Sequence, residues 1–280
     1  MVRIITDSAA DFEPQELSQL NIFCIPLSVR FLDDEYQENI NLSKDQFYGL
    51  LEETKCFPKT SQAAPQVLLD LIAEAQEAGD EAVYITLSSK LSGTYQSAVM
   101  AKSISDYANF YPVDSLNATG GQRILVEYAC KLRDEGKDAA QIVTAVEALR
   151  SRIVLYACMD TLEYLYLGGR ISQTVYKLGS LANIKPLIRV AEGAIEVPAK
   201  AMGMRKGMDI LCKRLELQQP DPNFPLYAMY TGNRTVAQTL AARFETVGHP
   251  VSEDRIINVG AAIGSHVGPN ACGMVYVEAE

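Results

Sequence analysis

Apolar and polar positions alternate with two periods along this chain, and the switch between them outlines its elements. Residues 2–5 form a short apolar run and residues 82–87 a longer one, each suited to a buried strand. Val67, Leu68, Leu71, Ile72 and Ala75 fall on one helical stripe, opened by Pro65 and stopped by Gly79. Ser43 and Gln46 have capping-box spacing ahead of Phe47, Leu50 and Leu51, which predicts another helix start. A helix over residues 94–107, a strand near 110–113 and a helix carrying Ile124, Leu125, Tyr128 and Leu132, ended by Gly136, continue the pattern. Residues 23–31 and 33–36 read as a hairpin with an acidic turn. This βα alternation predicts a parallel sheet.

Asp138 and Gln141 open one more helix, with Ile142, Val143, Val146 and Leu149 toward a core, and then the pattern changes. Residues 153–158 read as a strand, and 184–190 and 194–201 bracket Glu192-Gly193 as a hairpin. A helix over 203–217, a loop at 218–223, a strand over 226–230 and a helix over 234–247 follow. The expectation is an α/β chain: an N-terminal, Rossmann-like parallel-sheet domain over 1–150 and a C-terminal α+β domain over 151–280. No linker rich in Gly or Ser separates them.

Composition narrows the function classes. Of 280 residues, 48% are hydrophobic and 21% charged, which suits a chain that buries a sizeable core. The net charge of -10 argues against nucleic acid as a main partner and against electrostatic docking on anionic membranes. The N-terminus runs into a strand without a signal-peptide layout, and no apolar run approaches the roughly 18 residues of a membrane span. A cytoplasmic protein without stable membrane insertion is expected. Cysteines 24, 56, 130, 158, 212 and 272 are scattered, with no C-x-x-C pair, and read as buried thiols rather than metal ligands.

In an open parallel sheet, ligands gather at the carboxyl ends of the strands. Asp7-Ser8, Ser88-Ser89-Lys90-Leu91-Ser92-Gly93-Thr94 and Asp114-Ser115 follow the three predicted strands. The middle segment offers hydroxyls and a glycine at a helix start, where free N–H groups attract an anion, although Ser92 or Thr94 could equally be plain helix caps. Asp7 and Asp114 read as caps. Thr60-Ser61 stands before the helix that Pro65 opens, and capping is again the simpler use. The segment over residues 260–273 holds His266 among glycines and reads as a sharply bent loop that leaves the imidazole edge accessible. Two uncharged hydroxyl clusters with one histidine suit a carboxylate on an apolar tail. No nucleotide-binding loop and no G-x-S-x-G elbow are present, so neither a cofactor nor a hydrolase nucleophile is indicated.

Thr6-Asp7-Ser8, Lys59-Thr60-Ser61-Gln62, Ser88-Ser89-Lys90-Leu91-Ser92-Gly93-Thr94-Tyr95, Val113-Asp114-Ser115, the stretch over 162–172, Ile184-Lys185-Pro186 and Ile263-Gly264-Ser265-His266-Val267-Gly268-Pro269 occur in the order found in the DegV family. The chain resembles that family over essentially its whole length. The resemblance implies a long-chain fatty-acid-binding protein of two α/β-type domains, with the acyl tail buried and the carboxylate near the domain junction. It further implies a bacterial, non-catalytic carrier that presents the acid to a separate ATP-dependent fatty acid kinase subunit, which makes the acyl phosphate. By position, the carboxylate contacts would come from Thr60 or Ser61, from Ser92, Gly93 and Thr94, and from His266, with Ser265 keeping the hydroxyl of the family's Gly-Thr-His. Arg170 matches the Gly-Gly-Arg arginine, a candidate for the site rim or a partner contact. This sequence departs from the last motif at Ala261, Ser265, Asn270 and Cys272, and the last two bear on the shape of the acyl entrance. The rival readings are a hydrolase using Ser92 or Ser265 with His266, and a binding module for another small acid.

Overall fold

The computed structural model describes residues 1–179 and 183–280. Strand β1 (Val2–Asp7) opens the chain and is followed by α1 (Pro14–Gln19) and β2 (Ile22–Ile25), which pairs parallel with β1. Pro26 then ends the strand, since it has no N–H for the ladder. The chain therefore leaves this sheet, and the expected hairpin over 23–36 is confined to β3 (Ser28–Phe31) and β4 (Asp34–Gln37). With β5 (Lys59–Ser61), which follows α2 (Lys44–Thr54), they form a separate three-stranded sheet in the order β4-β3-β5.

Helix α3 (Pro65–Ala78) starts at its proline and stops at Gly79, whose φ of 68° is the left-handed C-terminal conformation that glycine adopts without strain. Strand β6 (Glu81–Thr86), helix α4 (Thr94–Ser105) and strand β7 (Phe110–Asp114) complete a parallel sheet in the order β2-β1-β6-β7. The βα reading of the first half is thus met. Helices α5 (Thr119–Asp134) and α6 (Ala139–Arg150) follow, and the Ser43/Gln46 and Asp138/Gln141 capping boxes are both formed.

The second half builds a six-stranded mixed sheet in the order β10-β9-β8-β13-β11-β12. Its strands are β8 (Ile153–Cys158), β9 (Ile184–Ala191), β10 (Ala194–Met202), β11 (Tyr227–Tyr230), β12 (Ile256–Asn258) and β13 (Cys272–Val277). Helices α7 (Glu163–Leu167) and α8 (Gln173–Gly179) lie between β8 and β9, α9 (Met204–Leu217) and α10 (Arg234–Thr246) flank β11, and α11 (Ala261–Val267) precedes β13.

Five layers result. Helices α3 and α4 cover one face of the parallel sheet, where Leu68, Ile72, Ala98 and Tyr84 are buried together. Helix α5 touches β1 and β6 on one side and β8 and β13 on the other, so it lies between the two sheets. One apolar cluster accordingly joins Ile4 and Val83 to Ile124, Leu155 and Val275. Helices α9 and α10 cover the outer face of the mixed sheet.

Candidate functional site

A narrow cavity of about 90 Å³ lies where α11, β5 and the start of α5 face the inner side of the mixed sheet. Its floor follows from strand register. Ile188, Ala157, Gly273 and Met229 form one row across β9, β8, β13 and β11. The two central residues are the smallest, so the row dips between its bulkier ends and leaves an apolar trough. Leu155, Val190 and Ile195 form a parallel row beside it, also lining the cavity.

Part of the polar lining gathers where β5 meets α11. Thr60 is the half-buried residue of β5, between exposed Lys59 and Ser61, and its Oγ1 lies 2.8 Å from His266 Nε2; Ser61 also lines the cavity. The His266 Nδ1 is shut off from solvent and has no hydrogen-bond partner among the described residues. Burial, reinforced by the charge of Arg170, pushes the imidazole down to about 3, so the ring is neutral at ordinary pH. A neutral ring carries one N–H, and a buried N–H without a partner is rarer than an unused lone pair. The network therefore assigns the proton to Nε2, donating to Thr60 and leaving the Thr60 hydroxyl hydrogen for an acceptor in the cavity.

Arg170 also lines the cavity rather than standing outside it. Its Nε donates to Leu91 O at 3.0 Å and its Nη1 to Gly168 O at 2.6 Å, and burial lowers its pKa. These bonds tie the Gly-Gly-Arg turn to the β6–α4 loop. Ser92 also lines the cavity; its Oγ lies 3.0 Å from Thr94 Oγ1 and accepts from Thr94 N at 3.3 Å in a local turn, whereas the residue at the N-cap of α4 is Gly93, with no side-chain cap bond. Thr94 is buried beneath, with Ala63 N donating to its hydroxyl at 3.4 Å, and does not line the cavity. Gly93 sits behind the Gln62 amide, which a Cβ at that position would meet at 1.8 Å. Asp7 and Asp114 act as turn-formers: Asp7 accepts from Ala9 N and Leu87 N, and Asp114 from Ser89 N and Leu116 N.

One sequence expectation is corrected here. The segment around His266 is not a bent loop but the helix α11. Its small residues serve close packing: a Cβ on Gly264 would meet Tyr48 Oη at 2.7 Å and Phe47 Cε1 at 2.8 Å. As the helix turns, Ala262, Ile263, His266 and Val267 face the cavity, whereas the Ser265 hydroxyl donates to Ala261 O at 2.7 Å inside the helix. Ser265 is fully buried and does not line the cavity. Asn270, placed where the family pattern has glycine, adopts a φ of 61° and lies outside the cavity, while Cys272 lines it.

Several participants gave no sequence signal. Thr119, Tyr230 and Thr231 line the cavity, and Asp11 and Glu38 are buried outside its lining; no motif singles out any of them. Among the described residues, no group of three or more His, Cys, Asp and Glu side chains is arranged to hold a metal ion, and no helix is long and apolar enough to cross a membrane.

Comparison with known proteins gives this cavity its context. A DegV domain-containing protein of Clostridium perfringens is 34% identical, with 98% of this chain and 96% of that protein covered. The structure of a DegV family protein from Thermus thermophilus, described for its fatty acid binding, superposes with a TM-score of 0.89 at 28% identity, with 99% of each chain covered. That of DegV from Bacillus subtilis, described as a fatty acid binding protein, has a TM-score of 0.87 at 27% identity, again with 99% of each chain covered. The DegV family model, whose description is of uncharacterised proteins, matches residues 1–279. With that match spanning all three sheets and every residue of the cavity, the chain belongs to the DegV family.

Proposed function

We propose that this protein binds a long-chain fatty acid, its tail in the apolar trough and its carboxylate at the polar end, near the junction of residues 1–150 and 151–280. The observation that carries the reading is the cavity itself, apolar along two rows of the mixed sheet, with the Thr60–His266 pair in its polar lining. Its relatives from Thermus thermophilus and Bacillus subtilis, described as fatty acid binders, support the ligand class. Taking about 14 methylenes of a C16 tail out of water at ~0.8 kcal/mol each is a gross gain near ~11 kcal/mol before the costs of association. Tail burial therefore supplies affinity, and the polar end sets orientation. Thr60, Ser61, Ser92 and His266 contact the carboxylate in this reading, Gly93, Thr94 and Ser265 shape the backbone around them, and Arg170 stands at the rim toward a partner.

The carrier is non-catalytic in this reading, and presents its cargo in the bacterial cytoplasm to a separate ATP-dependent kinase subunit. The hydrolase alternative is disfavoured by the site's chemistry. A ring held down to about 3 is a weak general base, and its Nδ1 lacks the acidic partner that orients a catalytic histidine. The Ser92 and Ser265 hydroxyls are engaged elsewhere. Denaturing extraction of protein purified from a bacterial host, followed by mass spectrometry, tests the proposal. A stoichiometric long-chain fatty acid is the expected result; protein that is empty and takes up no added fatty acid overturns it.

A further inference from the structure

Two buried carboxylates stand outside the lining of the cavity. Asp11 and Glu38 are each 1% exposed. Glu38 Oε1 accepts from Ala261 N and, at 3.4 Å, from Ala262 N, while Asp11 Oδ1 accepts from Gly260 N at 2.8 Å. The opening amides of α11, which find no carbonyl within their own helix, therefore end on acid side chains from the other end of the chain. A Cβ on Gly260 would lie 2.0 Å from Glu38 Oε1 and 3.0 Å from Asp11 Oδ1, so glycine is what admits both carboxylates.

Asp11 also reaches the opposite wall. Thr119, which lines the cavity at the head of α5, donates its hydroxyl to Asp11 Oδ2. Lys44, itself buried, supplies the positive charge: its Nζ donates to Asp11 O at 2.9 Å and to Glu13 Oε1 at 2.7 Å. Tyr48 Oη donates to Val259 O at 2.8 Å and fixes the chain just before the helix. A helix of 7 residues is too short to hold its place by internal hydrogen bonds alone. Buried carboxylates are unfavourable unless strongly hydrogen-bonded; here Asp11 Oδ1 and Glu38 Oε1 take their bonds from the amides that place α11, while Glu38 Oε2 has no hydrogen-bond partner among the described residues.

We propose that Asp11 and Glu38 are positioning residues for the ligand's head group: by gripping the first amides of α11 they hold His266 at hydrogen-bonding distance from Thr60 and lock α11 against α5 across the cavity. The ligand part of this inference rests on the fatty-acid reading; the placement of the histidine does not.

The test is Glu38→Gln, which keeps size and one acceptor while removing the charge, read by two measurements on the full chain. In the ligand-free protein, nitrogen-15 resonances of the His266 ring should shift away from their parent positions, as the Nε2–Thr60 bond lengthens, while far-UV circular dichroism stays native. Palmitate affinity should fall about tenfold, and adding His266→Gln should produce little further loss, because both changes act through one ring. A folded Glu38→Gln protein with unchanged ring resonances, or an affinity loss that simply adds to that of His266→Gln, overturns the proposal. If Glu38→Gln does not fold, Asp11→Asn decides by the same measurements and criteria. Parent protein that binds no palmitate defeats the fatty-acid reading alone, and the ring resonances then decide the positioning role.

Discussion

Thr60 and His266 are 206 positions apart in the chain, yet Thr60 Oγ1 and His266 Nε2 lie 2.8 Å from each other. The strand carrying Thr60 belongs to the small three-stranded sheet, and the helix carrying His266 leads into the mixed sheet, so this pair joins two parts of the molecule at the polar end of the cavity. A ligand carboxylate placed there accepts from a hydroxyl already oriented by the ring.

Removing either member should therefore weaken the hold on the head group. A lost hydrogen bond to a charged acceptor costs about 1.5–3 kcal/mol, on the order of 10- to 100-fold in Kd. Thr60→Val and His266→Ala should each show a loss of this size in a fluorescent fatty-acid displacement assay, and a larger loss in coupled phosphorylation, because tail burial persists while the carboxylate wanders. Parent-like behaviour of both variants in both assays would remove the pair from the site.

Ala157 lies at the low point of the trough, beside Gly273 and between Ile188 and Met229. Ala157→Leu adds volume where the tail would run. The variant should retain or gain thermal stability as it fills empty space, and should lose C16 binding while keeping some affinity for a C10 acid. Calorimetric titration with the two acids checks this; undiminished C16 affinity would mean that the tail takes another path.

Formation of an acyl phosphate should depend wholly on a second protein. The sequence has no phosphate-cradling loop. Purified protein with palmitate, ATP and magnesium should yield none, and addition of a cognate kinase subunit should yield it. Turnover by the chain alone would overturn the carrier reading.

Stability should respond to pH in opposite directions through His266 and through the buried carboxylates, where Asp7 and Asp11, each raised by burial to about 6, act in the same sense as Glu38. Burial, with the neighbouring charge of Asp11, pushes Glu38 from 4.5 up to about 7, so between these values the folded protein holds a proton that the unfolded chain releases. Its contribution is fully present below about 4.5 and is lost as pH rises through about 7. His266, lowered from 6.5 to about 3 by burial first, acts the other way: the unfolded chain takes up the proton first, and stability falls as pH drops from 6.5 toward 3. Above about pH 6.5, where the opposing histidine slope has ended, chemical denaturation should show a decline toward high pH that Glu38→Gln flattens. A parent-like slope in that variant would assign the titration elsewhere.

Local sequence was enough for elements whose signals are local. Pro65 and Gly79 bound α3, and the capping boxes at Ser43 and Asp138 open α2 and α6, because caps and breakers act within a turn of the residue that supplies them. The βα alternation likewise determined the parallel sheet, and the ordered motifs determined the family. Tertiary structure decided the rest. Gly260, Gly264 and Gly268 in the sequence suggested a loop around His266, and it is distant carboxylates at its first amides and close packing on Phe47 and Tyr48 that make it a helix. Ser265, a hydroxyl in a head-group motif, turns inward because helical geometry sends neighbouring positions to different faces. Asp11 and Glu38 carry no mark of burial in the sequence, since a carboxylate's environment is set by residues that the fold brings to it. The cavity, too, depends on register: Ala157 and Gly273 are unremarkable in sequence, and only cross-strand pairing sets them side by side to leave room for a ligand.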